Sequence, residues 1–356
     1  MKLRSGFTLL ETAAVLAIGS LLVGVMAPAV KMSRSQARGV GSAANLLFIG
    51  QGSAMYAQDN GGRLFTYTWA GPLPGRPPTF FLMPDGKTRS AFTDQEAASW
   101  QNTEILMRRT GRLFGDDRVQ NFAGRWPHLR YSHLVLMDYL GSTFPSALFV
   151  DPMDKNLLGW QGNPADISSD NHIPYAPGSV VDPGYDTSGW SIVGIRQRWA
   201  FGSSYQRTTS AWNQDGVDWA PMSPVPLTPH LILGSAYVPL HEGRFFSEIA
   251  FPSSKVHFFE EFDREQAGSP YFAYDHARPT KLMFDGSLND SPSGEARPSW
   301  NPAIVKQEWR QTYVPLHTFP LPQGGFGDPT LLSQRYRWTM GGLKGIDYVP
   351  GPIMAP

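Results

Sequence analysis

The chain has 356 residues, a formal charge of zero and only 17% charged residues. It therefore lacks the cationic excess that a nucleic-acid partner requires. It has no cysteine, which excludes disulfides, thiol catalysis, cysteine-ligated zinc and a lipid-modified N-terminal cysteine. Its 36 glycines, 31 prolines and 13% aromatic residues suit a loop-rich exported domain with many turns.

Residues 1–6, Met-Lys-Leu-Arg-Ser-Gly, are short, polar and basic. From Phe7 to Val30 only Glu11 carries a charge. As a helix this run spans roughly 36 Å, enough to cross a hydrocarbon core of about 30 Å. Core helices of soluble proteins are seldom this long and this uniformly apolar. A carboxylate within such a segment costs about 2.5–3.5 kcal/mol near the bilayer centre, so Glu11 needs a partner and a purpose. A cleaved secretory signal, cut at Ala27-Pro28-Ala29, is the competing reading. Glu11 inside the apolar stretch argues against it. Pro28 has no N–H, so the Gly24 carbonyl loses its helical partner and the spacing predicts a kink there. Ala13/Ala17 and Ser20/Gly24 are small residues four apart, the spacing that lets helices approach within a membrane.

The run Gly6-Phe7-Thr8-Leu9-Leu10-Glu11 resembles the cleavage and methylation site of type IV prepilins. The resemblance implies a cut between Gly6 and Phe7 by a membrane prepilin peptidase, with methylation of the new amine. It also implies that Glu11 pairs with the terminal amine of a neighbouring subunit during assembly. Pro28 falls where the pilin helix often carries a proline. Lysines and arginines flank both ends of the apolar run, so an N-terminus-in orientation rests on the resemblance alone.

Beyond Pro28, Val40, Ala43, Ala44, Leu47, Ala54 and Met55 keep near-helical spacing. Gly39, Gly41, Gly50 and Gly52 weaken that stretch, so packing on a head must supply much of its stability. Asp59-Asn60-Gly61-Gly62 stops it. One long helix over 7–57 is predicted. Residues 71–79 read as a loop, Ser99–Arg109 as a short helix and His128–Leu140 as a better one. Ala147–Val150 reads as a buried strand and Asp151–Asp154 as a turn. Residues 151–189 look like a long insertion. Strands are expected at 190–195, 201–208, 231–235, 255–260 and 280–284. Proline-studded loops are expected at 221–229, 291–302 and 315–329.

Several pieces resemble one pilin-like group, the planctomycete-type prepilin proteins with a His-x9-Asp-Gly motif. They are Ala147–Asp154, Ser204-Tyr205, Pro252–Glu260, His276 through Asp285-Gly286, and Tyr336–Asp347. Here eight residues separate His276 from Asp285. These two tempt one toward a site. Yet Lys281–Phe284 reads as a strand and Asp285-Gly286 as its turn, which makes a structural role the simpler reading. Asp151 with Asp154, and Asp166 with Asp170 and Asn171, offer the hard oxygens that calcium takes, without a complete EF-hand spacing. No zinc, P-loop or nucleophile-elbow spacing occurs. Neither a catalytic residue, a metal nor a cofactor is expected, with calcium as the alternative.

The reading is α+β: a long N-terminal transmembrane and spine helix packed on an antiparallel-sheet head with long loop insertions. Residues 1–6 form the leader, 7–30 the transmembrane half, 31–58 the amphipathic half and 59–356 the head. The resemblance implies a structural subunit of a type IV pilus or type II secretion pseudopilus, plausible as a minor one given its large head. Its partners would be prepilin peptidase, other pilin-like subunits and the inner membrane. The head would lie in the periplasm, or at the cell surface after assembly. A membrane-tethered module that holds a glycan or ion without polymerising is the alternative, and an exported enzyme the third.

Overall fold

The computed structural model describes residues 8–113, 129–141, 143–162, 164, 199–212, 223–224, 232–233, 243–266, 270–299, 333 and 335–349. One helix dominates it. Helix α1 (Leu9–Asp59) runs unbroken for 51 residues with Pro28 inside it, so the expected single helix is present. Its first 22 residues, Leu9–Val30, have a mean hydropathy of 2.2 and none of them is buried. Length and composition make this segment a candidate membrane span. The helix ends where Asn60 turns its side chain onto the Tyr56 carbonyl at 2.8 Å and Gly61 and Gly62 take positive φ.

The second half of α1 seats on an α+β head. Ser42, Leu46, Ile49, Ser53, Tyr56 and Ala57 are buried along one face, at the spacing of an amphipathic helix. Leu46 and Ile49 are fully enclosed, and each such burial contributes about 1.5–3 kcal/mol. The glycines that weaken the helix also admit the head. A Cβ on Gly50 would lie 2.7 Å from Leu282 Cδ2, and one on Gly52 would lie 2.5 Å from Leu140 Cδ2.

After α1 comes a hairpin, β1 (Thr79–Leu82) with β2 (Thr88–Ala91). It lies at the end of the expected 71–79 loop. Its turn, Met83-Pro84-Asp85-Gly86-Lys87, closes through Met83 N–H to the Lys87 carbonyl at 3.0 Å, with Gly86 at φ +75°. Helix α2 (Asp94–Thr110) starts five residues before the expected Ser99, because Thr93 caps it, accepting from Glu96 N–H at 3.2 Å. Gly111 ends it in the left-handed region.

Two expectations fail here. His128–Leu140 is not one α-helix: a 3-10 helix occupies Leu129–Leu136, followed by the short α3 (Met137–Leu140). Tyr131 to Met137 are buried without interruption, so no solvent face imposes an α-helical period. Ala147–Val150 is not a strand either. Ala147–Phe149 is a 3-10 turn in which Phe149 N–H and Val150 N–H bond back three residues, at 3.3 and 3.1 Å, and Ser146 caps it. Within the supposed insertion, α4 (Lys155–Gly162) is helical, capped by Asp154, which accepts from Leu157 N–H at 3.1 Å. Residues 163 and 165–189 of that stretch, and the strand expected at 190–195, lie outside the described residues.

The main sheet is antiparallel in the order β3 (Tyr205–Arg207), β6 (Val256–Glu260), β7 (Lys281–Met283), β8 (Leu288–Asn289). A separate two-residue ladder joins β4 (Ser223–Pro224) to β5 (Ile232–Leu233). Strand β6 is buried throughout because both faces of the sheet are covered. Phe258 and Leu282 face the core under α1, with Leu46, Ile49 and Tyr56. Phe259 and Met283 join a second cluster with Tyr271, Phe272 and Tyr336. The closing segment is pinned from below: Asp347 accepts from Lys255 Nζ at 3.1 Å, Val256 N–H at 2.8 Å and Thr339 Oγ1 at 2.6 Å.

Candidate functional site

The N-terminal motif sits at the start of α1. Thr8 caps the helix, and Glu11 answers it in a capping box. Thr8 N–H donates to Glu11 Oε2 at 2.8 Å, Thr8 Oγ1 donates to the same oxygen at 2.9 Å, and Glu11 N–H donates to Thr8 Oγ1 at 3.3 Å. A carboxylate at this place offsets the orphan N–H groups of the first turn. Gly6 and Phe7, between which the expected cut falls, lie outside the described residues. Further along, Ser20 Oγ donates to the Leu16 carbonyl at 2.7 Å, so the hydroxyl spends its donor inside the helix, as an apolar surrounding demands. A Cβ added at Gly19 or Gly24 would meet no described atom within 4 Å beyond the helix's own neighbouring backbone.

Where α1 meets the head, the scattered acidic and hydroxyl pieces of the sequence converge. Ser42 is the first buried side chain along the helix among those described. Its Oγ donates to Glu260 Oε1 of β6 and lies 2.9 Å from the Tyr205 hydroxyl of β3. One turn on, Asn45 Nδ2 donates to the Val150 carbonyl at 3.0 Å and to Tyr205 Oη at 3.3 Å. Glu260 Oε2 accepts from Thr280 N–H at 2.9 Å. Beside it Arg264 ties two carboxylates, Asp151 at 3.3 Å and Asp154 at 2.7 Å, and Ser204 Oγ donates to Asp154 at 2.8 Å. Glu265 lies against the Cα of Gly39.

The electrostatics follow from burial. Glu260 is pushed up to about 8, first by loss of water and then by the nearby Asp151 charge. Burial also raises Asp151, opposed by Arg264. The Tyr205 hydroxyl is raised by burial and by these carboxylates. Burial thus favours the neutral acid at Glu260, which accepts from Ser42 Oγ at Oε1 and from Thr280 N–H at Oε2. Sequence reading had Asp151, Asp154, Ser204-Tyr205 and Glu260 as separate pieces. Ser42, Asn45 and Arg264 were missed, and a polar pair one turn apart on an otherwise apolar helix face was the available signal.

His276 and Asp285 are not brought together. His276 is exposed, its ring 6.1 Å from that of Tyr274 and nearly parallel to it, while its carbonyl accepts from Gln266 Nε2 at 2.9 Å. Asp285 sits in the β7–β8 turn, accepting from Ser287 N–H at 2.9 Å and Ser287 Oγ at 2.6 Å, and Gly286 takes φ +87°. This repeats the Asp85-Gly86 turn of the first hairpin. Asp151 and Asp154 direct oxygens at Arg264, while Asp166, Asp170 and Asn171 lie outside the described residues. No group of three or more metal-ligating side chains converges among the described residues. No family model matches the chain, and neither a curated protein nor a solved structure is found to be similar to it.

Proposed function

We propose that the chain is a type IV pilin-like subunit, anchored by Leu9–Val30 and assembled with other pilin-like subunits through the outer face of α1. One observation carries this reading. Opposite its seat on the head, α1 leaves Val40, Phe48 and Met55 exposed at 71%, 56% and 50%, in line with an apolar span that no described residue covers. A helix that only tethered a head would gain nothing from an apolar outer face in water. Glu11, at the helix start, then neutralises the amine of a neighbouring subunit in place of its own Thr8 cap. In this reading prepilin peptidase cuts between Gly6 and Phe7, the N-terminus faces the cytoplasm and the head lies in the periplasm.

Mass spectrometry of the mature N-terminus tests it. An N-methylated Phe7 supports a pilin. A chain starting at Val30 means a cleaved secretory signal and sinks the reading. An intact Met1 leaves only a membrane anchor. Glu11→Ala should be cleaved and stay in the membrane, yet fail to enter assemblies that wild type enters.

A further inference from the structure

Arg207 in β3 is fully buried, and no described carboxylate forms an ion pair with it. Its Nη1 donates to the Phe65 carbonyl. Its guanidinium carbon lies 3.6 Å from the Phe65 ring centroid and 4.7 Å from that of Trp212. Among the described residues no carboxylate pairs with it. The groups whose charge bears on it are the phenols of Tyr56 and Tyr67, and burial keeps both of these protonated. A guanidinium does not give up its proton in a protein. A full positive charge thus sits inside the head, and among the described residues its Nε and Nη2 have no hydrogen-bond partner.

The two aromatic rings satisfy only the faces of the guanidinium. Its Nε–Nη2 edge carries two parallel N–H donors, the arrangement that grips an anion in the guanidinium plane. On the adjacent strand β6, His257 is buried with its Nε2 also unpartnered. Its ring stacks on Phe284 at 4.0 Å and lies 6.4 Å from Phe65, the ring that covers Arg207. We propose that Arg207, with His257 beside it, binds a small monovalent anion of the chloride class inside the head. One negative charge neutralises the site. A multiply charged anion would leave excess charge buried and lose far more hydration among Phe65, Tyr67 and Trp212. The site is independent of the N-terminal motif, so it stands whether or not the chain assembles.

The test is thermal unfolding of the full chain in detergent, in sodium chloride, bromide or gluconate at equal ionic strength. Chloride and bromide should raise the Tm above that in gluconate by about 2 °C, and Arg207→Met should abolish the difference. A crystal grown in bromide should show an anomalous peak on the Nε–Nη2 edge. Equal Tm values in the three salts, or the same chloride response in Arg207→Met, would overturn the proposal. If Arg207→Met does not fold, the bromide peak in the wild-type protein decides, and its absence overturns the site.

Discussion

Glu260→Gln separates a buried neutral acid from a buried carboxylate. The Glu260 carboxyl is raised from 4.5 to about 8 in the fold, chiefly by burial. A group whose folded pKa is raised contributes its full stability below about pH 4.5 and loses it as pH rises toward about 8. Each unit costs about 1.4 kcal/mol, so the loss reaches about 3 kcal/mol by neutral pH. Glutamine fixes the neutral form: its oxygen accepts from Thr280 N–H and its amide donates to Ser42 Oγ. The variant should match wild type near about pH 5 and exceed it by about 3 kcal/mol near about pH 7. Lys281, lowered to about 7 by burial, gains stability only above that pH, outside the window. His257, lowered by burial, slopes the opposite way in acid, but it does so equally in both proteins and cancels in the difference. Urea unfolding of the full chain in detergent, followed by the fluorescence of its 11 tryptophans, supplies the numbers. If the variant is less stable by the same amount at every pH, Glu260 is ionised in the fold and the argument fails.

Asp347→Ala leaves Lys255 in the interior without its carboxylate and should cost about 3–5 kcal/mol, read as a lower urea midpoint. Gly52→Val drives a branched side chain into Leu140, whose Cδ2 would already meet a Cβ at 2.5 Å. It should destabilise by about 1–3 kcal/mol in the same assay. Phe48→Asp places a charge on the exposed face of α1. It should leave head stability within about 0.5 kcal/mol while reducing recovery of the subunit in co-purified assemblies, as measured by quantitative mass spectrometry.

The long helix was legible because its signals are local: an apolar run, a spine repeat and the Asn60-Gly61-Gly62 stop. Strands β6 and β7 were legible for a similar reason, each being a short apolar run with a turn signal at one end. The hairpin β1–β2 was not legible although Pro84-Asp85-Gly86 is as clear a turn as Asp285-Gly286, because its strands lie largely at the surface and Thr88–Ala91 carries no apolar run. The 3-10 turn at Ala147–Phe149 was unreadable for a physical reason. Phe149 and Val150 are apolar because they are buried, and burial does not tell a strand from a tight turn when the bonds that decide are three residues apart. The junction at Ser42 was harder still, since it joins residues separated by 163 and 218 positions.

The two faces of α1 explain why that junction is polar. Deep in the head, the helix is held by Leu46, Ile49 and Tyr56, whose burial needs no partner geometry. At Ser42 the helix leaves the head for the span, and an apolar contact there would merge with the unburied stripe and leave the seat without a defined edge. Hydrogen bonds from Ser42 and Asn45 to Glu260, Tyr205 and the Val150 carbonyl supply direction that apolar packing lacks. They fix the rotation of the helix about its axis. That rotation decides which residues face outward, and with this seat they include Val40, Phe48 and Met55. The proposed assembly through the helix requires this orientation to be held before a partner arrives, because in that proposal the partner contacts only the outer face.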